Sequence, residues 1–300
     1  MSNFTRGIDF MRFKSHWRGD EFLKRIDVEL IRNGKALLTF RNEGATVYYN
    51  GNRMCSLAPS YFEPKVNDLF LPLLRSRRMD YNTQERYITE HEWIKDTRLN
   101  DTDYSFADVL PEILSNITYH QTKESFQITG LYPYSPLNIT NASPIILLDI
   151  EATFSATGES TDRIDVVLYH TGERHLIFVE VKGLWDDRLK SKNGNTAEIL
   201  FQMENYQKRI DDEQDNIKTQ YNRVIEYYSN LSGKNIPLIG DKIPLLGLLL
   251  VGYQNNDKDS QKRKEVKTLL RSKNIKFKDI GDTANITEKT LLDLYDKFKK

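Results

Sequence analysis

This 300-residue chain has a single thiol, Cys55. One thiol closes no disulfide within the chain, and it excludes a cysteine-built zinc site. Net charge is missing as well, because 43 Lys and Arg balance 43 Asp and Glu. The total therefore announces no strongly charged partner, and a nucleic-acid surface has to come from local clustering. Long apolar runs are absent too. The longest, Pro244 to Val251, falls far short of the roughly 20 residues a membrane helix needs. Met1 to Arg12 has no apolar core of signal-peptide size. The expectation is a cytoplasmic protein with no membrane partner. There is no internal repeat, no low-complexity tract and no Walker A glycine–lysine loop. His91-Glu92 lacks the second histidine of a zinc-protease helix. What is present is ordinary: 39% hydrophobic and 29% charged residues, the balance of a soluble globular chain.

The pattern predicts two parts. In residues 1–104, an N-terminal α/β accessory region, Val28–Arg32 and Lys35–Phe40 flank Asn33-Gly34, and Val47–Tyr49 and Met54–Leu57 flank Asn50-Gly51. Both dipeptides signal two-residue type I′ hairpins. Arg75, Arg77 and Arg78 gather just before a polar stretch, Asp80 to Asp103. From 105 to 300 the reading is a mixed central sheet flanked by helices. A helix is expected over Ser105–His120, with Ser105 as N-cap. Three strands follow at Ile145–Phe154, Arg163–His170 and His175–Lys182. Then come one long helix from Thr196 to Ser229, a strand over Leu245–Tyr253, a basic helix over Ser260–Ser272 and a strand over Ile275–Ile280.

The chemistry concentrates on the second and third of these strands. With Gly172-Glu173 as a two-residue type II′ loop, Thr171 faces Arg174, and counting back sets Asp165 opposite Glu180. Two facing carboxylates repel each other. Both sit in apolar runs, Ile164 and Val166–Leu168 on one side, Ile177–Val179 and Val181 on the other. A hard cation such as Mg²⁺ or Mn²⁺ would relieve that repulsion, with the Val181 carbonyl as a further oxygen ligand. Lys182, two residues after Glu180, projects from the same face. A lysine beside such an ion can orient or deprotonate water and stabilise charge growing on a phosphate.

Arg163-Ile164-Asp165, a short hairpin, then Phe178-Val179-Glu180-Val181-Lys182-Gly183 resembles the core motif of the PD-(D/E)XK nuclease superfamily, although no proline precedes the aspartate. Gln202-Met203-Glu204-Asn205-Tyr206 resembles the Q-x-x-x-Y signature of its RecB-like branch, and positions i and i+4 share a helix face. The resemblance covers roughly Ile145 to Ile280. It implies a restriction-endonuclease-like core, a metal held by Asp165 and Glu180, and DNA as substrate in restriction, phage defence or repair. It also implies work beside a helicase or ATPase partner, and leaves self-association open. Glu151 is a third acidic candidate, since a hairpin centred on Gly158 sets it opposite Asp165. Glu112 rivals it, and Asp162, read as lying outside the strand, rivals Asp165.

Plainer readings stand beside these. Gln202 and Tyr206 also fit an ordinary amphipathic face with Ile199, Met203 and Ile210. The basic run from Lys258 to Lys278 reads as phosphate contacts or as a solvated face. The tyrosines near Val47–Tyr49 fit base stacking or core, and His170 and His175 read as cross-strand neighbours. The rival functions are a ligand-gated nuclease effector acting on RNA or single-stranded DNA, and a non-cleaving nucleic-acid-binding subunit of a larger complex.

Overall fold

The computed structural model describes residues 5–42, 44–58, 61–72, 86–97, 104–120, 128–154, 162–190, 197–252, 257–281 and 286–300. The chain is mixed α/β and divides into two compact units, Thr5–Thr140 and Asn141–Lys300, each with a five-stranded sheet. The division falls later than the expected 104/105 boundary. The reason is visible in the packing of 105–120. Phe106 lies 5.4 Å from Phe22 and 5.6 Å from Trp93, ring centre to ring centre, and Asn116 donates to the Phe70 carbonyl at 2.9 Å. That segment completes the core of the first unit.

The first unit opens with α1 (Phe10–Gly19) and α2 (Glu21–Ile26), the latter N-capped by Asp20, which accepts from the Leu23 N–H at 2.9 Å. The helical path continues as a wider turn through Asp27–Ile31. The expected strand at Val28–Arg32 is therefore helical. Phe22, Leu23, Ile26, Leu30 and Ile31 are buried at helical spacing. Asn33-Gly34 acts as a helix stop instead of a hairpin. The Asn33 amide donates back to the Val28 carbonyl at 2.9 Å, and Gly34 takes φ 65°, the left-handed conformation common after helices. A side chain at Gly34 would also meet Asn138 and Pro133, at 2.8 and 2.9 Å from its Cβ.

Strands β1 (Ala36–Phe40), β2 (Ala45–Tyr49), β3 (Asn52–Leu57), β4 (Pro64–Asn67) and β5 (Tyr87–Ile88) form an antiparallel meander in sequence order. The β2–β3 hairpin is as expected: Tyr49 pairs with Asn52, and Asn50 and Gly51 take φ 47° and 75°. Helix α3 spans Glu90–Thr97. Helix α4 spans Leu110–Tyr119, and Ser105 caps the turn preceding it, accepting from the Asp108 N–H at 3.2 Å. Arg75, Arg77 and Arg78 lie outside the described residues.

In the second unit the sheet order is β10-β9-β8-β7-β6. β6 (Ile145–Phe154), β7 (Asp162–His170) and β8 (His175–Gly183) are antiparallel, whereas β9 (Leu245–Val251) and β10 (Phe277–Gly281) run parallel to β8. Asp162 pairs with Phe154 and so begins β7, where a position outside the strand was expected. The expected long helix is two, α5 (Glu198–Asp212) and α6 (Gln214–Ser232). The chain breaks at Glu213, with φ −119° and ψ 17°. Glu213 and Asp215 then sit at the N-terminal end of α6, where the helix dipole favours acids. α7 (Asp257–Ser272) crosses from β9 to β10, and α8 (Glu288–Lys299) closes the chain. Phe178 packs against Tyr221 of α6, ring centres 6.1 Å apart, and His175 reaches Tyr295 of α8 at 3.2 Å. Among the described residues no helix is long and apolar enough to cross a membrane.

Candidate active site

The β7–β8 hairpin sets the site. His170 pairs with His175, so the loop holds four residues, Thr171–Arg174, where a two-residue Gly172-Glu173 turn was expected. Gly172 does not take positive φ; Arg174 does, at 56°. Both ends of the loop are drawn out of the ladder. Thr171 donates to the Pro144 carbonyl through its N–H at 2.7 Å and its hydroxyl at 3.0 Å, and Arg174 donates to the Leu238 carbonyl at 2.7 Å. Lengthening the loop by one residue on each side leaves the register unchanged. The ladder runs back to Val166 opposite Val179, and one step further puts Asp165 opposite Glu180.

Beyond Val166 the two backbones no longer pair. The Val181 N–H donates instead to the Asp165 carboxylate at 2.8 Å. Asp165 thus occupies the gap where β7 leaves β8. The Val181 carbonyl faces the same gap, because N–H and C=O of one strand residue point to the same side. Glu180 and Lys182 share the face covered by α5 and are almost wholly buried, 1% and 3% exposed. Lys182 Nζ contacts Glu180 Oε1 directly and lies 3.8 Å from Asp165 Oδ2. The Asp165 side chain stays 29% exposed, which leaves an opening onto the pair.

Gln202 and Tyr206 hold this arrangement from α5. Gln202 Nε2 donates to Glu180 Oε1 at 2.9 Å and to the Tyr206 hydroxyl at 2.6 Å, and that hydroxyl donates to the Arg163 carbonyl on β7. The i, i+4 pair therefore ties Glu180 to the strand that carries Asp165. Two buried oxygens of this cluster have no hydrogen-bond partner among the described residues, Glu180 Oε2 and Gln202 Oε1. An unpartnered carboxylate oxygen at this depth is costly unless something cationic meets it. Two carboxylates and a backbone carbonyl are all-oxygen donors, the set a hard divalent ion prefers.

The electrostatics agree with the geometry. Burial pushes Glu180 up to about 7; the neighbouring Asp165 charge adds to the rise, and Lys182 opposes it. Asp165 is also raised, by burial above all, against the pull of Lys182 and the Val181 N–H. A cation brought beside these carboxyl groups would lower both again.

Glu151 is placed differently. Ile150 pairs with Val166 and Ala152 with Ile164, so the register sets Glu151 across from Asp165, as a hairpin centred on Gly158 requires. Its backbone, however, takes φ 52°, and its carboxylate pairs with Arg163 Nη1 at 3.2 Å. Among the described residues no three acidic, histidine or cysteine side chains gather at metal-binding spacing. Glu112 is exposed on α4 of the first unit. Of the other candidates, Cys55 is fully buried, its thiol pushed up to about 12 by that burial. Tyr48 is core, at 2% exposed. Part of the basic run is already engaged: Arg263 and Lys267 both bind Asp279, at 2.7 and 2.8 Å, and Lys276 donates to the Phe298 carbonyl at 2.6 Å.

Sequence reasoning missed Asp149 and Arg188. Asp149 is 1% exposed, accepts from the Tyr221 hydroxyl at 3.2 Å and is the one charged residue in Ile145–Ile150, a signal that was readable. Arg188, held by Asp186 at 2.6 Å, exerts its charge on both Asp165 and Glu180. Set against protein-family models, curated proteins and solved structures, the chain matches none of them.

Proposed function

We propose that the second unit is a nuclease with a restriction-endonuclease-like core, using Mg²⁺ or Mn²⁺ to hydrolyse phosphodiester bonds in DNA. The observation that carries this reading is the convergence of Asp165, Glu180 and Lys182 on one point, with Glu180 Oε2 left unpartnered. Asp165, Glu180 and the Val181 carbonyl would hold the ion, which when bound would neutralise phosphate charge and acidify water. Lys182 orients the attacking water, takes up its proton or donates to the phosphoryl oxygens as charge builds there. Gln202 and Tyr206 fix the Glu180 carboxylate, and Arg188 adds positive charge for the phosphate. Water attacks phosphorus, the bond from phosphorus to one bridging oxygen breaks, and that oxygen leaves with a proton.

A second reading has its own support. Lys182 already satisfies both carboxylates in part, as a purely structural buried ion pair would. In that case the unit binds nucleic acid without cutting it. Incubation with linear and circular DNA in Mg²⁺ or Mn²⁺, beside an EDTA control, separates the two. Metal-dependent cutting is expected, and cutting of circles would mark endonuclease action. Intact DNA with both metals would favour the binding subunit. Parallel single-stranded RNA and single-stranded DNA arms test the effector alternative, in which RNA is the preferred substrate.

A further inference from the structure

Helix α7 distributes its charges unevenly. Val266 and Leu270 are buried beneath it. Along one flank, Ser260, Arg263, Lys264, Lys267 and Arg271 line a single groove of about 330 Å³. With 3.6 residues per turn, these five fall within an arc of about 100°. Glu265, the single acid between Ser260 and Ser272, turns to another face and accepts from Gln261 at 2.7 Å. The groove's own acid comes from β10. Asp279 binds both Arg263 and Lys267, at 2.7 and 2.8 Å. One carboxylate thus fixes two cations in place and leaves the groove strongly positive. Lys264 is exposed and has no ion-pair partner among the described residues. Arg271 lies over the Phe277 ring at 5.9 Å, a contact that occupies none of its N–H donors. The groove is also tied to the carboxylate site by register. Asp279 pairs with Leu250 of β9, and Leu250 with Lys182 of β8. Paired residues share a sheet face, so the groove's anchor is level with Lys182 and two strand spacings from it, roughly 10 Å.

From this arrangement we infer that the α7 groove grips the phosphodiester backbone of a nucleic acid, at a contact separate from the carboxylate site. All four cations offer N–H donors alone, which selects an anionic ligand. Lys264, Lys267 and Arg271 advance by about one helical turn each, roughly 5 Å. Such a row suits a polymer with regularly repeated charge, and duplex DNA carries one negative charge per roughly 1.7 Å of axis. An acidic protein is the poorer fit. Protein interfaces centre on aromatic and apolar side chains with charge at the rim. Among the described residues of 257–281 no large apolar side chain is exposed. A polar, strongly positive surface is the mark of a nucleic-acid interface. Contacts of this kind hold and orient a strand without reading its sequence. The inference concerns binding, and it holds whether or not the carboxylate site cuts.

The test uses the full chain in EDTA, so that nothing is cut. A labelled duplex of about 20 base pairs is titrated by anisotropy across roughly 50 to 200 mM salt. Lys264→Gln combined with Arg271→Gln removes two exposed cations and leaves both Asp279 pairs in place. The slope of log affinity against log salt should shrink by about 2, near one for each lost phosphate contact, and equally on two unrelated sequences. Lys264→Gln alone should take about 1 from the slope. Lys289→Gln combined with Lys300→Gln removes the same charge from exposed positions at the two ends of α8. That pair should keep the native slope. Equal losses in the two double variants, or no binding by the native chain, would overturn the inference. Competitors identify the occupant. Unlabelled duplex should displace the label, whereas polyglutamate of equal charge, and inorganic phosphate at equal ionic strength, should not. Displacement by polyglutamate would make the groove a dock for acidic protein. Displacement by inorganic phosphate would make it a pocket for a single anion. Either result overturns the inference.

Discussion

Replacing Lys182 with methionine will reduce metal-dependent DNA cleavage by about 10²- to 10⁴-fold, the usual contribution of a positioned proton-transfer group. Methionine keeps the length and the apolar stem and removes only the ammonium group. Lys182 is 3% exposed and contacts Glu180 and approaches Asp165 from within the sheet face, so bulk solvent supplies no ready substitute. Lys182→Arg is expected to rescue poorly, because a rigid planar fork does not fit a site shaped around a point charge. The same change acts on stability. Without the ammonium, Glu180 keeps the Gln202 amide as its remaining donor. A fully charged orphan would cost about 3–5 kcal/mol, but a carboxyl already raised to about 7 escapes most of that by taking a proton. Single-turnover cleavage and thermal melts on the same samples separate the two effects. A large rate loss with a modest shift in melting is expected. Unchanged cleavage by Lys182→Met would remove lysine from the chemistry.

The second large effect is on stability as a function of pH and metal. Glu180 ionises near 7 in the folded chain, against a reference value of 4.5, and Asp165 is shifted the same way. Between those pH values the folded state binds more protons than the unfolded one. Without divalent metal, stability therefore falls as pH rises from about 4.5 to about 7 and levels off above. A bound divalent ion favours the ionised carboxylates and reverses that penalty. Mn²⁺ at 100 times its dissociation constant should add about 2.7 kcal/mol. For a unit of this size that raises the melting temperature by roughly 5–10 °C. The gain should be larger at pH 8 than at pH 6, where protons compete for the same oxygens. Glu180→Gln should abolish the metal effect and flatten the metal-free pH dependence. Melts followed by calorimetry at both pH values, with and without Mn²⁺, check all three statements. A metal gain that persists in Glu180→Gln would place the ion elsewhere.

Much of the site was readable because a hairpin obeys arithmetic. Asp165 and Glu180 stay opposite each other for any loop that adds equally to both strands. The expected two-residue turn was replaced by four residues, and the register stayed in step as far back as Val166 opposite Val179. The i, i+4 spacing of Gln202 and Tyr206 was equally legible, since a helix face depends only on residue count. Other features depend on contacts that spacing does not encode. Asn33-Gly34 suits a type I′ turn or a helix stop, and the burial of Leu30 and Ile31 beside α2 decides between them. The apolar stripe across 196–229 reads as one helix, because the break at Glu213 is a matter of charge and dihedral angles. The helix over 110–119 carries no mark of its unit, which only the rings of Phe22 and Trp93 against Phe106 reveal.

The proposed nuclease chemistry requires a divalent ion between the carboxylates of Asp165 and Glu180. Crystals soaked in Mn²⁺ above neutral pH, with data collected at the manganese absorption edge, test it directly. One anomalous peak is expected about 2.1 Å from an oxygen of each carboxylate, with the Lys182 ammonium displaced from between them. A map without manganese there, and with Lys182 still bridging Glu180 and Asp165, would contradict it.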